Sequence, residues 1–220
     1  MPGGKRVLFV PWTMQEDHHT SRYGGWDYTH KNNAWISHHK TKESRKKEDD
    51  ENYEIKSIHQ VYYRPNVQNS ILGTLGPNDQ VYIRGHSLTG LTFIFIDRVD
   101  GNILQAIDVA NRLQSMGLRT TFAGTIKCYN CHSYEGEPNF AQTFADIMFG
   151  NGYTQCRYIG YRGALDSFPG SDHSKDEDVR FHKYSIDRHK LEGGFEVTID
   201  RGRASAEGNR FVVTPTALQQ

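Results

Sequence analysis

The sequence predicts an α/β protein with a largely parallel sheet and helices on both of its faces. Short apolar, β-prone runs alternate with amphipathic helical segments through the middle of the chain, and its 220 residues suit one domain. Strands buried on both faces read as continuous apolar runs, as several do here. We therefore predict a single domain over residues 1–220, with a polar insertion at 13–52 and a β-rich tail at 179–215.

The elements follow one another in a simple order. Apolar or alternating runs predict strands, which in chain order are KRVLFVPW, EIKSIHQVYY, DQVYIRGH, LTFIFIDRV, TTFAGTIKCYN, QCRYIGYRG, VRFHKYSI, GFEVTID and RFVVTP. Apolar residues at helical spacing predict two helices, NILQAIDVANRLQSMGL and NFAQTFADIMFGNGY, each of which ends near a glycine. NVQNSILGTL predicts a short helix or turn between the second and third strands. In sheets of this kind, function is concentrated at the carboxyl ends of the strands.

The polar insertion has two parts. Its first half contains RYGGWDYTHKNNAW, which is rich in aromatic residues and predicts ordered structure. Its second half, HHKTKESRKKEDDEN, carries a basic block and then an acidic block, which is typical of a solvated loop or an exposed helix. A large polar excursion also agrees with a composition of 36% hydrophobic and 24% charged residues.

The composition argues against several classes of protein. The 26 basic and 26 acidic residues give a net charge of zero, which disfavours binding to nucleic acid or membrane through overall charge. Three cysteines, Cys128, Cys131 and Cys156, do not make a disulfide scaffold and favour a reducing compartment. No stretch approaches the roughly 20 apolar residues of a membrane span, and MPGGKRVLFVPW is not a classical signal peptide. We expect a cytoplasmic protein, or one delivered into a host cell by a specialised system.

The segment QVYIRGHSLTG has two interpretations. In the first, Ser87 is the nucleophile of a serine hydrolase, because GHSL resembles the start of a G-x-S-x-G elbow. That pattern requires a second glycine where Thr89 stands, and it requires a helix where the β-prone LTFIFIDRV follows. In the second interpretation, His86 is the catalytic residue and its nucleophile lies elsewhere in the chain.

Cys131 is the best partner for His86. It comes just after the apolar run of the next predicted strand, and neighbouring parallel strands end at the same edge of a sheet. A thiolate is a strong nucleophile, and an imidazole beside it activates the thiol and protonates the leaving amine. The backbone N–H groups of Ser87 and Cys131 are the candidates for an oxyanion hole.

A zinc site is the competing interpretation of CYNC. Cys128 and Cys131 would supply two ligands, and His18–His19 or His38–His39 would complete the set. The chain lacks a second CxxC, and Cys128 falls inside the apolar run, where a thiol packs as a small apolar side chain. Cys156 begins a strand and has the same core interpretation. We therefore predict no metal.

Taken together, these motifs resemble those of the caspase-like cysteine peptidases. RGHSLTG, DVANRLQSMGL, IKCYNCHSYEG, NFAQTFADIMFGNGY and CRYIGYRG stand in the order of that family, over Gln80 to Gly163. The likeness is strongest to the self-processing cysteine-protease domains of large bacterial toxins. It implies a caspase-like fold and a thiol endopeptidase, with His86 as general acid/base and Cys131 as nucleophile. The substrate would be a protein or peptide, itself included, and the role that of an effector, toxin or virulence factor.

Two positions depart from that family's pattern. Ser87 follows the histidine where most members have glycine, and the bulky His132 follows the cysteine in a turn that favours small residues. Two alternatives to a cysteine peptidase therefore stay open. One is a catalytically inactive caspase-like fold that serves as a binding module, and the other is the serine hydrolase that uses Ser87.

The resemblance also implies an activator and a region for substrate binding. The toxin domains are switched on by inositol hexakisphosphate, which binds a basic pocket beside their C-terminal strands. The candidate residues for such a polyanion here are Arg180, Lys183, Arg188, Lys190, Arg201 and Arg203. In GYRGALDSF, after the strand that follows the nucleophile, Arg162 is a candidate for binding an acidic substrate side chain, with a structural salt bridge as the alternative.

Overall fold

The structure, a computed structural model, describes residues 4–21, 28–96, 102–166, 184–190, 196–203 and 208–218. Its strands are β1 (Lys5–Val10), β2 (Ser57–Tyr62), β3 (Gln80–Arg84), β4 (Phe93–Phe95), β5 (Ile103–Gln105), β6 (Thr125–Tyr129), β7 (Arg157–Tyr161), β8 (Ala164–Asp166), β9 (Tyr184–Lys190), β10 (Glu196–Arg203) and β11 (Arg210–Val213). Its α-helices are α1 (Met14–Ser21), α2 (Tyr28–Asp49), α3 (Ala106–Ser115) and α4 (Phe140–Gly150). Two short 3₁₀ turns lie at Leu72–Thr74 and Thr216–Leu218.

The predicted α/β architecture is confirmed. A six-stranded sheet has the strand order β11-β7-β6-β3-β1-β2, and every neighbouring pair is parallel except the antiparallel pair of β7 and β11. A small β4–β5 sheet and an antiparallel β8–β9–β10 sheet accompany it, in agreement with the β-rich tail. In the described ranges, no helix has both the length and the apolar character needed to cross a membrane.

One face of the large sheet carries the main hydrophobic core. Side chains alternate across a strand, so Val81 and Ile83 of β3 point to the face on which α3 and α4 pack. Phe140 and Phe144 lie one helical turn apart on α4, stack with ring centroids 5.7 Å apart, and are completely buried. The apolar spacing that predicts α4 from the sequence is therefore the spacing of its buried stripe.

The opposite face of the sheet is covered by α2. Trp35 is 1% exposed and packs edge-on against Tyr82 of β3, with ring centroids 5.0 Å apart. Asn32, His39 and Glu43 are also buried, so one stripe of the helix faces the sheet at helical spacing. The expectation of a solvated loop or exposed helix over HHKTKESRKKEDDEN is thus wrong for this stripe. It misleads because the buried side chains here are mostly polar.

A buried ion pair joins α2 to β1. Arg6 is 7% exposed, and its guanidinium lies 2.9 Å from the Glu43 carboxylate and donates to His39 Nδ1 at 2.6 Å. Glu43 also accepts from the Tyr53 hydroxyl at 2.8 Å and from the Lys56 backbone N–H at 3.0 Å. Burial alone would raise the pKa of Glu43, but these two hydrogen bonds and the Arg6 charge lower it below its ordinary value. The helix is therefore anchored by a buried carboxylate that pairs with Arg6 and accepts two hydrogen bonds.

The structure corrects the start of the predicted helix NILQAIDVANRLQSMGL. Residues Ile103–Gln105 form β5, which pairs with β4, and the helix begins only at Ala106. Ile103 and Ile107 are 47% and 43% exposed, so they do not belong to the buried stripe that their spacing indicates. The predicted stop is confirmed, because Gly117 has a φ of 100°, which favours glycine. The sequence also missed β8, which at three residues leaves little pattern to detect.

The anchor of α2 yields a stability prediction. We expect Glu43→Ala to lower the free energy of unfolding by about 3 kcal/mol, because it leaves Arg6 buried without its carboxylate. Glu48→Ala, on the exposed side of the same helix, is the matched control and should change it by less than about 0.5 kcal/mol. Urea denaturation at neutral pH measures both.

The pH dependence of that difference follows from the sign of the shift. The pKa of Glu43 is lowered in the folded protein, so the contribution of this carboxylate to stability is complete above its ordinary pKa of 4.5 and is lost as the pH falls further.

The double variant Arg6→Met with Glu43→Leu should recover much of the stability that Glu43→Ala loses, since neither charge then remains buried. An equal effect of Glu43→Ala and Glu48→Ala would contradict the anchor.

Candidate active site

The pairing of β3 with β6 brings His86 and Cys131 to equivalent places. The two strands are parallel, and their last paired residues are Arg84 and Tyr129. His86 and Cys131 each lie two residues beyond that pair, at the carboxyl ends of adjacent strands. Since neighbouring strands run about 4.8 Å apart, His86 and Cys131 lie at the same edge of the sheet.

His86 is held by the strand that follows it. Its backbone N–H donates to the Phe95 carbonyl at 2.9 Å, and the Phe95 N–H donates back to the His86 carbonyl at 3.0 Å. The imidazole lies over the Phe95 ring, with centroids 5.8 Å apart. A Cβ on Gly85 would come within 2.9 Å of Ile94, so the approach to the histidine requires a glycine. The ring is thus positioned by packing as well as by the sheet.

Ser87 lacks the setting of a nucleophile elbow. Its side chain is 1% exposed, and its hydroxyl donates to the Phe93 carbonyl at 3.2 Å. The chain beyond it turns and enters the strand β4, where an elbow would enter a helix. Among the described residues no acceptor pairs with the Ser87 backbone N–H. This N–H therefore remains a candidate oxyanion donor, while the side chain points into the interior.

Cys131 lies in a tight turn after β6. The Asn130 N–H donates to the Cys128 carbonyl at 2.9 Å, and His132 adopts a left-handed φ of 52°. The thiol is partly exposed, and its sulfur accepts a hydrogen bond from the Leu165 backbone N–H at 3.3 Å. A backbone N–H aimed at sulfur favours the thiolate, which is the nucleophilic form.

Cys128 has the core setting that the sequence predicts, whereas Cys156 is only partly buried and packs against the core. Cys128 is completely buried, and burial raises the pKa of its thiol far above the ordinary range. Burial also raises the pKa of Cys156, to about 11, and its thiol donates to the Phe122 carbonyl at 3.1 Å. At neutral pH both stay protonated, so Cys131 is the candidate for a reactive thiol.

Close packing joins the loop after β3 to the loop after β6. The Gly90 N–H donates to the Glu135 carbonyl at 2.9 Å. Gly136 has a φ of 81°, and a Cβ there would come within 2.8 Å of the Gly90 nitrogen and 3.1 Å of Thr89. These contacts fix the separation of the loops that carry His86 and Cys131.

Arg162 lines a groove beside the site. Its guanidinium lies over the Phe211 ring at 5.1 Å, and its backbone N–H donates to the Asn209 carbonyl at 3.0 Å. The groove has a volume of about 760 Å³ and is also lined by the carboxylates of Glu135, Glu137 and Asp146. Both roles suggested for Arg162, binding of an acidic substrate side chain and a structural salt bridge, stay predictions.

The residues suggested for a polyanion are only partly placed. Arg180 and Lys183 lie outside the described residues. Two others, Arg188 and Lys190, lie on β9, and the last two, Arg201 and Arg203, lie on β10. These strands pair antiparallel, so the four belong to one small sheet. Binding of inositol hexakisphosphate there stays a prediction.

The zinc interpretation finds no support in the described part of the chain. No group of three or more His, Cys, Asp or Glu side chains within it is arranged to hold a metal ion. His39, one of the proposed ligands, instead accepts a hydrogen bond from Arg6 beneath α2. The Nδ1 atom of His39 therefore has a protein partner.

No protein-family model, curated protein or solved structure matches the chain. The local geometry of the strand ends and the resemblance of their motifs are therefore the basis for a function.

Two residues beside Cys131 have roles that the sequence does not predict. Glu135 accepts from the Gly163 N–H at 3.0 Å and lies 2.5 Å from His132 Nδ1. Asn130 is 1% exposed, and neither polar atom of its side chain has a hydrogen-bond partner among the described residues. Buried amides without partners are uncommon and are found at functional sites. The spacing of His132 and Glu135 offers a weak signal, because an acid three residues after a histidine reaches it across a turn.

The thiol environments predict selective alkylation. Under native conditions at pH 7.5, iodoacetamide should modify Cys131 first, with Cys156 slower by about 100-fold because its raised pKa lowers the thiolate fraction. Cys128 should stay unmodified, since it is completely buried. Mass spectrometry of the digested protein measures each site, and similar rates for all three in urea provide the control. Equally slow native labelling at all three sites would contradict the assignment.

The tight contact of the two loops predicts a glycine effect. Gly136→Ala should lower the free energy of unfolding by about 1–2 kcal/mol and slow alkylation of Cys131, because the positive φ and the nearby Gly90 backbone leave no room for a Cβ. Gly150→Ala is the matched control, because a Cβ at the end of α4 meets no atom within 4 Å. Urea denaturation and the labelling assay measure both variants. Equal behaviour of the two would show that the loops do not pack as described.

Proposed function

We propose that the chain is a caspase-like cysteine endopeptidase with a His86–Cys131 dyad. The observation that carries this proposal is the register of β3 and β6, which places the two residues at equivalent positions past the same sheet edge. The settings of the thiols support it, because burial raises the pKa values of Cys128 and Cys156, whereas the sulfur of Cys131 accepts a backbone hydrogen bond from Leu165. The resemblance of the motifs to self-processing toxin domains suggests a bacterial effector or toxin, and a protein substrate that includes the chain itself.

The proposed chemistry follows from these groups. His86 removes the proton from the Cys131 thiol, and the sulfur forms a bond to the scissile carbonyl carbon. The carbonyl oxygen takes up negative charge and is stabilised by the backbone N–H groups of Ser87 and Cys131. His86 then gives the proton to the leaving amine as the C–N bond breaks. Water, deprotonated by His86, releases the acyl group and restores the thiol.

The two departures from the family pattern are compatible with this mechanism. The Ser87 hydroxyl is bonded to the Phe93 carbonyl inside the protein, so its side chain does not cover its own N–H. The bulky His132 is accommodated by a left-handed backbone and by its contact with Glu135.

A panel of variants tests the proposal. The full chain is incubated with a peptide library made from a protein digest, with and without inositol hexakisphosphate, and new termini are identified by mass spectrometry. Cys131→Ala should abolish cleavage, and His86→Ala should reduce it at least about 100-fold, since each removes a reacting group. Cys156→Ala is the matched control and should retain activity, as should Ser87→Ala.

Each alternative has its own outcome in this panel. Activity that survives Cys131→Ala and is lost in Ser87→Ala would replace the cysteine peptidase with the serine hydrolase. Absence of cleavage by the wild-type chain under both conditions, with Cys131 as slow to label as Cys156, would favour the inactive binding module. Cleavage only with inositol hexakisphosphate would support the implied activator.

A further inference from the structure

We infer that Glu135 and His132 form a clamp that positions the Cys131 thiol. The inference depends on the proposed function for what the thiol does, but the clamp itself consists of contacts among described residues. Neither residue is assigned a chemical step. Both act through the backbone on either side of Cys131, so they are positioning residues.

The backbone of His132 needs an anchor. Its φ of 52° is shared, among described non-glycine residues, only with Asn66. A left-handed conformation is unfavourable for a residue with a Cβ, and glycine or asparagine adopts it more easily. A histidine therefore remains there only if its own contacts offset this cost.

The side chain of His132 supplies that anchor. Its Nδ1 lies 2.5 Å from the Glu135 carboxylate and 3.3 Å from the Thr89 hydroxyl. Because a carboxylate only accepts hydrogen bonds, the Nδ1 proton is donated to Glu135. The imidazole is thus tied both to its own turn and to the loop after β3.

The same carboxylate also holds the loop after β7. The Glu135 oxygen that contacts His132 accepts from the Gly163 N–H at 3.0 Å, and the His132 N–H donates to the Gly163 carbonyl at 2.8 Å. Two residues further on, the Leu165 N–H donates to the Cys131 sulfur at 3.3 Å. The clamp therefore positions Gly163, and through it the N–H group that favours the thiolate.

This chain of contacts distinguishes positioning from a simple charge effect. The titratable or charged residues on the described loops that carry His86 and Cys131, and between β7 and β8, are His86, His132, Glu135, Glu137 and Arg162. Removing a carboxylate near a thiolate relieves repulsion and shifts alkylation to lower pH. Loss of the clamp instead withdraws the Leu165 N–H and shifts alkylation to higher pH. The two explanations thus predict opposite signs.

The experiment compares Glu135→Gln with Glu137→Gln in the full chain. Each removes one negative charge from the same groove, but only the first residue belongs to the clamp. The rate of Cys131 alkylation by iodoacetamide is measured from pH 5 to 10. For Glu135→Gln we expect the midpoint to rise by about half a pH unit, because a hydrogen bond to the thiolate weakens. Glu137→Gln should match the wild-type protein or shift slightly lower.

A second variant keeps the test independent of folding. His132→Gly removes the clamp while relieving the left-handed strain, so it should unfold at a temperature no lower than the wild type. It should nevertheless show the upward midpoint shift of Glu135→Gln. Asparagine tolerates the same backbone conformation, so the alkylation midpoint of His132→Asn should fall between those of the wild type and His132→Gly.

Kinetics provides the readout for catalysis. On any peptide that the wild-type chain cleaves, Glu135→Gln should lower kcat by about 10-fold or more with KM within about 2-fold, since a misplaced nucleophile affects the reaction more than binding. If the wild-type chain cleaves nothing, the proposed function fails, and the alkylation profiles still decide the clamp. Profiles that coincide for Glu135→Gln, His132→Gly and Glu137→Gln would overturn it.

Discussion

The register between β3 and β6 is the constraint on which the candidate site depends. A shift by one residue would send every side chain of a strand to the opposite face. Here the faces are not interchangeable, because Ile83 belongs to the core under α3 and α4 while Tyr82 packs against Trp35 of α2. Burial on both faces therefore fixes the pairing of Arg84 with Tyr129. The positions of His86 and Cys131 follow from that pairing.

The face beneath α2 shows how a chain with 36% hydrophobic residues covers a sheet on both sides. Aromatic rings run across it from Trp35 through Tyr82 and Tyr129 to Tyr161, with centroid separations of 5.0, 5.9 and 6.0 Å. Beyond this row of rings, towards β1, the same face carries the ion pair of Arg6 with Glu43. A buried ion pair contributes little net stability compared with apolar residues, but its geometry is specific. This explains how a helix with a polar sequence packs in one orientation.

Much of this fold is predictable from local pattern, and the exceptions have a common cause. The strands of the large sheet and α4 are found because burial of an apolar stripe sets their periodicity. The strand Ile103–Gln105 is missed because its apolar residues continue the helical spacing of α3, while its conformation is set by pairing with β4. The buried stripe of α2 is missed because its polar side chains resemble a solvated surface. Each error concerns residues whose setting depends on a partner outside their own segment.

The candidate site also contains residues that the sequence predicts and residues that it does not. His86 and Cys131 are accessible to sequence reasoning because the end of an apolar run marks the end of a strand. The role of Glu135 is not, because its carboxylate acts on Gly163, a backbone group that any sequence would supply. The size of the residue after the cysteine therefore does not by itself decide whether the turn tolerates that residue. At His132, the bulky side chain in the turn also makes the contact that holds the turn. Its effect on the thiol depends on whether a carboxylate lies within reach, which only the arrangement of the loops decides.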